Sequence, residues 1–185
     1  MDPRGSQRVS CSMSDLMVDL WNLIYSIIIY PIIYILPAYV ANGAPVIFGG
    51  GMPLDMNRKF LGKPIFGKHK TLRGLITGIA SGFIIAFLLS FALSYMLLIG
   101  IVTSIGTHVG DLLGSFIKRR LNRKEGTGFA FFDQYLFLIF AILLAIPLDH
   151  LPSVYGIIFL FILTGLLHRS TNKMAHKAKL KEVPW

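Results

Sequence analysis

Asp111 is the only full charge in the 44-residue run from Gly74 to Ile117, and it stands seven residues before Lys118. If the end of that run is helical, the carboxylate lies ~10 Å inside a basic boundary. An acid at that depth faces a protein interior or a wet cavity and is a functional candidate. Lys118, two turns along the same face, offers the other reading, a neutralising ion pair. A second acid, Asp133, opens the next apolar stretch, "FAFFDQYLF". Two carboxylates from different helix ends, at one level and amid cations, suit a hard divalent metal that keeps some water and takes phosphate oxygens, and Mg²⁺ is the natural choice. The alternative for Asp133 is a favourable charge at a helix N-terminus.

Phosphate is the ligand that the neighbouring residues favour. "FGKHKTLRG" gathers Gly67, Lys68, Lys70, Thr71 and Arg73 just ahead of an apolar run, so N–H groups, a hydroxyl and cations converge at a helix N-terminus. "KRRLNRKEG" crowds Lys118, Arg119, Arg120, Arg123 and Lys124 beside Asp111, a self-repelling group that a polyanion relieves. Topology alone is the competing account, because short basic loops tend to stay cytoplasmic. Neither segment is a Walker-type loop. His108, one turn before Asp111, reads as an ordinary packed or hydrogen-bonded His or as support for the acid. His69, His150, His168 and His176 form no constellation.

The elements that must position these groups are membrane helices. The chain is 54% hydrophobic and 15% charged, against about 25% charged in ordinary soluble domains, and its mean hydropathy is +0.65. The net charge of +9 is divided among apolar segments, which argues against nucleic acid as a partner. Cys11 is the only cysteine, so no disulfide framework or Cys-based metal cluster forms within the chain. A crossing needs about 20 apolar residues. As one helix, the run from Gly74 to Ile117 would reach ~66 Å, so it folds back near Ser94-Tyr95. Pro31 and Pro37 kink the first crossing without ending it, and Asp149-His150 separates the last two. The expectation is an all-α integral membrane protein of five spans, about 16–41, 74–93, 95–117, 131–148 and 151–167. Residues 1–14 are a flexible N-terminus, 15–170 a single transmembrane catalytic domain with cytoplasmic loops at 42–73 and 118–130, and 171–185 a cytoplasmic basic tail. Five spans bring sixteen of the 18 Lys and Arg to one side, which puts the N-terminus outside, the C-terminus in the cytoplasm and a polar cavity toward the cytoplasm. Gly78 with Gly82, and Gly106 with Gly110 and Gly114, predict helix faces that pack closely.

Around Asp111 the segment "GDLLGSFIKRRLNRKE" resembles the signature of the phosphatidate cytidylyltransferases, the CDP-diacylglycerol synthases. Asp111, Ser115, Lys118, Arg119 and Lys124 match it in order and spacing, with Glu125 where that pattern has Asp. Downstream, "GTGFAFFDQYL" keeps Asp133 but lacks the pattern's His and last Asp and has Gln134 for Arg; Lys70-Thr71-Leu72-Arg73-Gly74 echoes its "K-T-x-E-G" element. The departures, the short chain, "ANGAPV" (Asn42, Pro45), "GGGMPLD" (Gly51, Pro53, Asp55) and "FGKHKTLRG" are similar to the archaeal branch, the CDP-archaeol synthases, over residues 37 to 170. This resemblance implies CTP as nucleotide, Mg²⁺ as cofactor and 2,3-bis-O-(geranylgeranyl)glycerol 1-phosphate, an isoprenoid ether-lipid phosphate, as acceptor in a cell-membrane enzyme. It implies that Asp111 and Asp133 hold Mg²⁺, that Lys70 and Arg73 cradle phosphates, and that Lys118, Arg119 and Lys124 compensate phosphate charge. Thr71, Ser115 and Asn42 would hydrogen-bond nucleotide or phosphate. For Asn42 the other reading is a helix C-cap beside Gly43. The rival functions are the same transfer to phosphatidate and a non-enzymatic transporter module for a phosphorylated solute.

Overall fold

The computed structural model describes residues 13–122 and 130–179, with 130–133 described by backbone alone. Its order is α1 (Met13–Ile24), a widened π turn (Tyr25–Ile29), α2 (Tyr30–Phe48), a hairpin of β1 (Lys59–Phe60) and β2 (Lys63–Pro64), α3 (Leu72–Ser90), α4 (Met96–Arg120), α5 (Ala130–Ala145), a 3-10 turn (Ile146–Leu148) and α6 (Val154–Lys177). The π turn falls where the ring of Pro31 meets the carbonyl four residues back, a conflict that a wider turn accommodates. Pro37 and Pro45 lie inside α2, which runs to Phe48 and ends where the Gly49 N–H donates to the Pro45 carbonyl at 2.9 Å. The first loop is therefore shorter than the expected 42–73. α6 continues past the expected 167 to Lys177 and closes with the Ala178 N–H on the Met174 carbonyl.

Among the described residues, four helical segments are long and apolar enough to cross a membrane: Met13–Phe48, Leu72–Ser90, Met96–Arg120 and Val154–Lys177. α5 is shorter, at 16 residues or ~24 Å. α4 is the hub, packed against α2, α3 and α5. Glycines make this possible. Gly74, Gly78, Gly82 and Ala86 form one buried stripe on α3. Gly106 and Gly110 of α4 lie so close to the Phe140 and Leu136 carbonyls of α5 that an added Cβ would stand 2.5 and 2.3 Å from them. In lipid, where no hydrophobic force pushes helices together, such close approach supplies the dispersion contacts that do. Two apolar clusters complete the packing, one around Ile35, Phe137, Leu138 and Leu160, the other around Tyr34, Met96, Ile99 and Ala145. At that second end the Asp149-His150 turn, both residues at positive φ, is held by the Tyr30 hydroxyl on the His150 carbonyl and by Tyr95 stacked 4.2 Å from the His150 ring.

Candidate active site

At the opposite end, the Lys70 ammonium lies 2.6 Å from both carboxylate oxygens of Asp111. The two side chains are 27% and 34% exposed, so the pair lies at the surface of the bundle. The acid's ion pair is thus made with the first loop. The Lys118 pairing raised by helical spacing is not the one that engages both oxygens.

Asp55 is the reason Lys70 arrives there. Its carboxylate is 6% exposed; Oδ1 accepts from the Asn57 N–H at 3.0 Å, and Oδ2 from Phe66 and Gly67 at 3.0 and 3.2 Å. Burial pushes this carboxyl up, yet the N–H groups of Phe66, Gly67 and Asn57 outweigh it and hold the group below the ordinary carboxylate range. Two further bonds tie residues 52–54 to 70–72: Leu54 N–H to the Lys70 carbonyl at 2.7 Å, and Leu72 N–H to the Met52 carbonyl at 3.1 Å. Gly67 turns the chain at φ 95°. Thr71 then caps α3, its hydroxyl accepting from Gly74 and Gly50 N–H at 3.1 and 3.2 Å. Both lone pairs are used, so what Thr71 has left to offer a partner is its O–H proton.

The basic cluster divides. Arg120 is committed to the fold, donating to the Phe60, Lys63 and Pro64 carbonyls and lying 5.4 and 5.0 Å from the Phe60 and Phe116 ring centroids. In return the Lys63 ammonium donates to the Arg120 carbonyl at 3.0 Å. The clamp docks the hairpin on α4 and corrects the expectation that all five cations await a polyanion. Arg119 is buried and Lys118 half-buried, while Ser115 is buried one turn beyond Asp111 on the same face. Arg73 is exposed in the first turn of α3. Asn42 is half-buried inside α2, so the C-cap reading fails, Gly49 being the residue that ends the helix. Lys124, with Arg123 and Glu125, lies outside the described residues. Asp133 is described by its backbone in α5. The antiparallel register sets Gly106 against Phe140-Ala141 and Gly110 against Leu136-Phe137.

His108 is packed rather than solvated. Its Nε2 has no hydrogen-bond partner among the described residues, and a Cβ on Gly78 would stand 2.3 Å from it. No group of three or more His, Cys, Asp or Glu gathers among the described residues. Along the flank of α3 runs an apolar groove. Met52, Leu72, Arg73, Ile76 and Thr77 line about 330 Å³ of it, and from Ile76 it continues past Phe83, Ile101 and Ser104 over about 390 Å³.

Residues 24–185 match the family model described as CarS-like, CDP-archaeol synthase. The chain belongs to the CDP-archaeol synthase family. It is 40% identical over 159 residues to the CDP-archaeol synthase of Pyrococcus furiosus, covering 82% of this chain and 95% of the relative. To that of Methanococcus maripaludis it is 38% identical over 183 residues, covering 91% and 100%. It also superposes on a solved intramembrane enzyme for archaeal membrane lipids biosynthesis with a TM-score of 0.72 and 32% identity, covering 76% of this chain and 91% of the other. Family membership agrees with the resemblance read around Asp111. Sequence reasoning gave no structural role to two residues that build the site: Asp55 entered only through the "GGGMPLD" resemblance and Arg120 only as one of five crowded cations. The Asx turn of Asp55-Met56-Asn57 was a local signal; the partners at 66–67 and the Arg120 clamp carry none.

Proposed function

We infer that this CDP-archaeol synthase family member is an intramembrane cytidylyltransferase. It moves CMP from CTP to 2,3-bis-O-(geranylgeranyl)glycerol 1-phosphate, giving CDP-archaeol and pyrophosphate. The observation that carries the site is the Lys70–Asp111 pair, a carboxylate and a phosphate-seeking cation brought together beside a helix N-terminus. A lipid phosphate oxygen attacks the α-phosphorus of CTP in line. One P–O bond forms as the bond from that phosphorus to the β-phosphate bridge breaks, and the electron pair leaves on pyrophosphate. No protein nucleophile is required; positioning and neutralisation of phosphate charge do the work.

Mg²⁺ fits the residues present. Asp111 is a partly exposed oxygen donor that already accepts a cation on both oxygens. With no group of three or more His, Cys, Asp or Glu among the described residues, an ion held here would need phosphate and water oxygens to complete its shell, as Mg²⁺ accepts. Asp111 and Asp133 would hold it, and a bound ion would supply charge neutralisation and Lewis acidity at the nucleotide phosphates. Lys70 and Arg73 hold phosphates against the start of α3. Lys118, Arg119 and Lys124 offset the lipid phosphate or the leaving pyrophosphate, and Ser115, Asn42 and the Thr71 hydroxyl orient the nucleotide. Arg73 stands at the rim of the groove along α3, which suits a phosphate at the interface and an isoprenoid chain below it.

The reading includes five crossings, α5 being the short one, with the basic end and its cavity in the cytoplasm. Purified protein given α-labelled CTP, Mg²⁺ and either the isoprenoid ether phosphate or phosphatidate tests it. Label is expected in the ether lipid, with Asp111→Asn and Asp133→Asn inactive. Preferential labelling of phosphatidate would reassign the acceptor, and full activity in both variants would remove the metal site.

A further inference from the structure

We infer that Lys70 guards the Asp111 carboxylate against a bare divalent cation and releases it only to nucleotide phosphate, so that metal and triphosphate enter as a pair. This rests on the reading of Asp111 as a metal ligand. The ammonium sits 2.6 Å from each carboxylate oxygen. A divalent ion on either oxygen would stand across one carboxylate from a full positive charge. Like charges that close repel, and water at a part-exposed site reduces this without removing it.

Only the side chain of Lys70 is free to resolve the conflict. Its N–H donates to the Gly67 carbonyl at 3.2 Å and its carbonyl accepts from Leu54. The ammonium can therefore swing about a fixed Cα but cannot retreat with the loop. Its alternative partner must be anionic and near the start of α3, one residue on, where Thr71 caps the helix and Arg73 is exposed. A triphosphate meets that description. Phosphate would draw Lys70 away and leave both Asp111 oxygens open to the cation that accompanies it. Without phosphate, separating the pair leaves both charges unmatched at a half-buried site, which is costly. Lys70 is thus a positioning residue for the metal as well as a phosphate ligand.

Binding of Mn²⁺ alone to the full-length protein in detergent, read as free Mn²⁺ by electron paramagnetic resonance, tests this without turnover. Lys70→Met is expected to tighten Mn²⁺ binding on the order of tenfold or more. Lys70→Arg, which keeps the charge, should not tighten it, and adding Asp111→Asn to Lys70→Met should abolish the gain. Equal affinity in wild type and Lys70→Met, with Asp111→Asn weakening both, would overturn the guard and leave the metal assignment standing. If Asp111→Asn changes nothing in either background, the metal assignment itself falls, and the guard with it.

Discussion

At the scale of single residues, two acids have different surroundings. Asp111 is part-exposed and paired with the Lys70 ammonium, whereas Asp55 is buried on backbone N–H groups. Asp111→Asn keeps the shape but removes the charge, and should lower CTP incorporation by on the order of 10²-fold or more, as loss of a group that stabilises reacting charge typically does, with unfolding temperature little changed. Asp55→Asn should instead loosen the loop that carries Lys70, lowering thermal stability and activity together. Its pH dependence follows from the sign of the shift. The folded carboxyl is held below its ordinary value of 3.8, so its contribution is complete above about pH 4 and fades as pH falls further. Thermal unfolding in detergent from pH 3 to 7 should show wild type and Asp55→Asn converging only at the acid end. A constant gap would mean that the ionised form is not what stabilises the loop.

Between helices, the glycines decide. Gly43 has nothing within 4 Å of a built Cβ, so Gly43→Ala should leave the fold intact or stabilise it by ~0.5–1 kcal/mol through helix propensity. At Gly78 the same added methyl meets His108 Nε2 at 2.3 Å and the Ala41 carbonyl at 2.7 Å, and at Gly110 it meets the Leu136 carbonyl at 2.3 Å. Gly110→Ala should push α5 from α4 and, by moving the start of α5 relative to Asp111, lower activity more than stability. Parallel melting and CTP-incorporation curves for the three variants check the ranking. Gly43→Ala proving the most damaging would show that backbone approach is not what these positions supply.

For the whole molecule, the ends of the bundle differ in chemistry. One end is closed by aromatic packing of Tyr30, Tyr95 and His150; the other carries the ion pair, the Thr71 cap and the basic first loop. In the proposed orientation the termini lie on opposite sides. In a Cys11→Ser background, a membrane-impermeant maleimide added to right-side-out vesicles should label Met13→Cys and spare Lys177→Cys until the membrane is opened. Labelling of both from outside would remove the fifth crossing, since an even number of spans returns the chain to its starting side.

Residues near one another in the chain already determined the membrane class, the turns near Ser94-Tyr95 and Asp149-His150, the glycine faces and the identity of the acid at 111. Each is a matter of composition, spacing along one helix or a local basic boundary. The same local signals suggested Lys118 as the partner of Asp111 and Gly43 as a helix end, and there tertiary structure prevailed. Lys70 reaches Asp111 because Asp55 gathers N–H groups from residues 57, 66 and 67, and Arg120 is occupied by carbonyls some 56 to 60 positions away. Alternation and propensity carry no trace of such contacts, because their free energy exists only once the loop has closed and both partners have lost water. Only the assembled bundle lets α5 lie directly on α4, with Gly106 against Phe140 and Gly110 against Leu136.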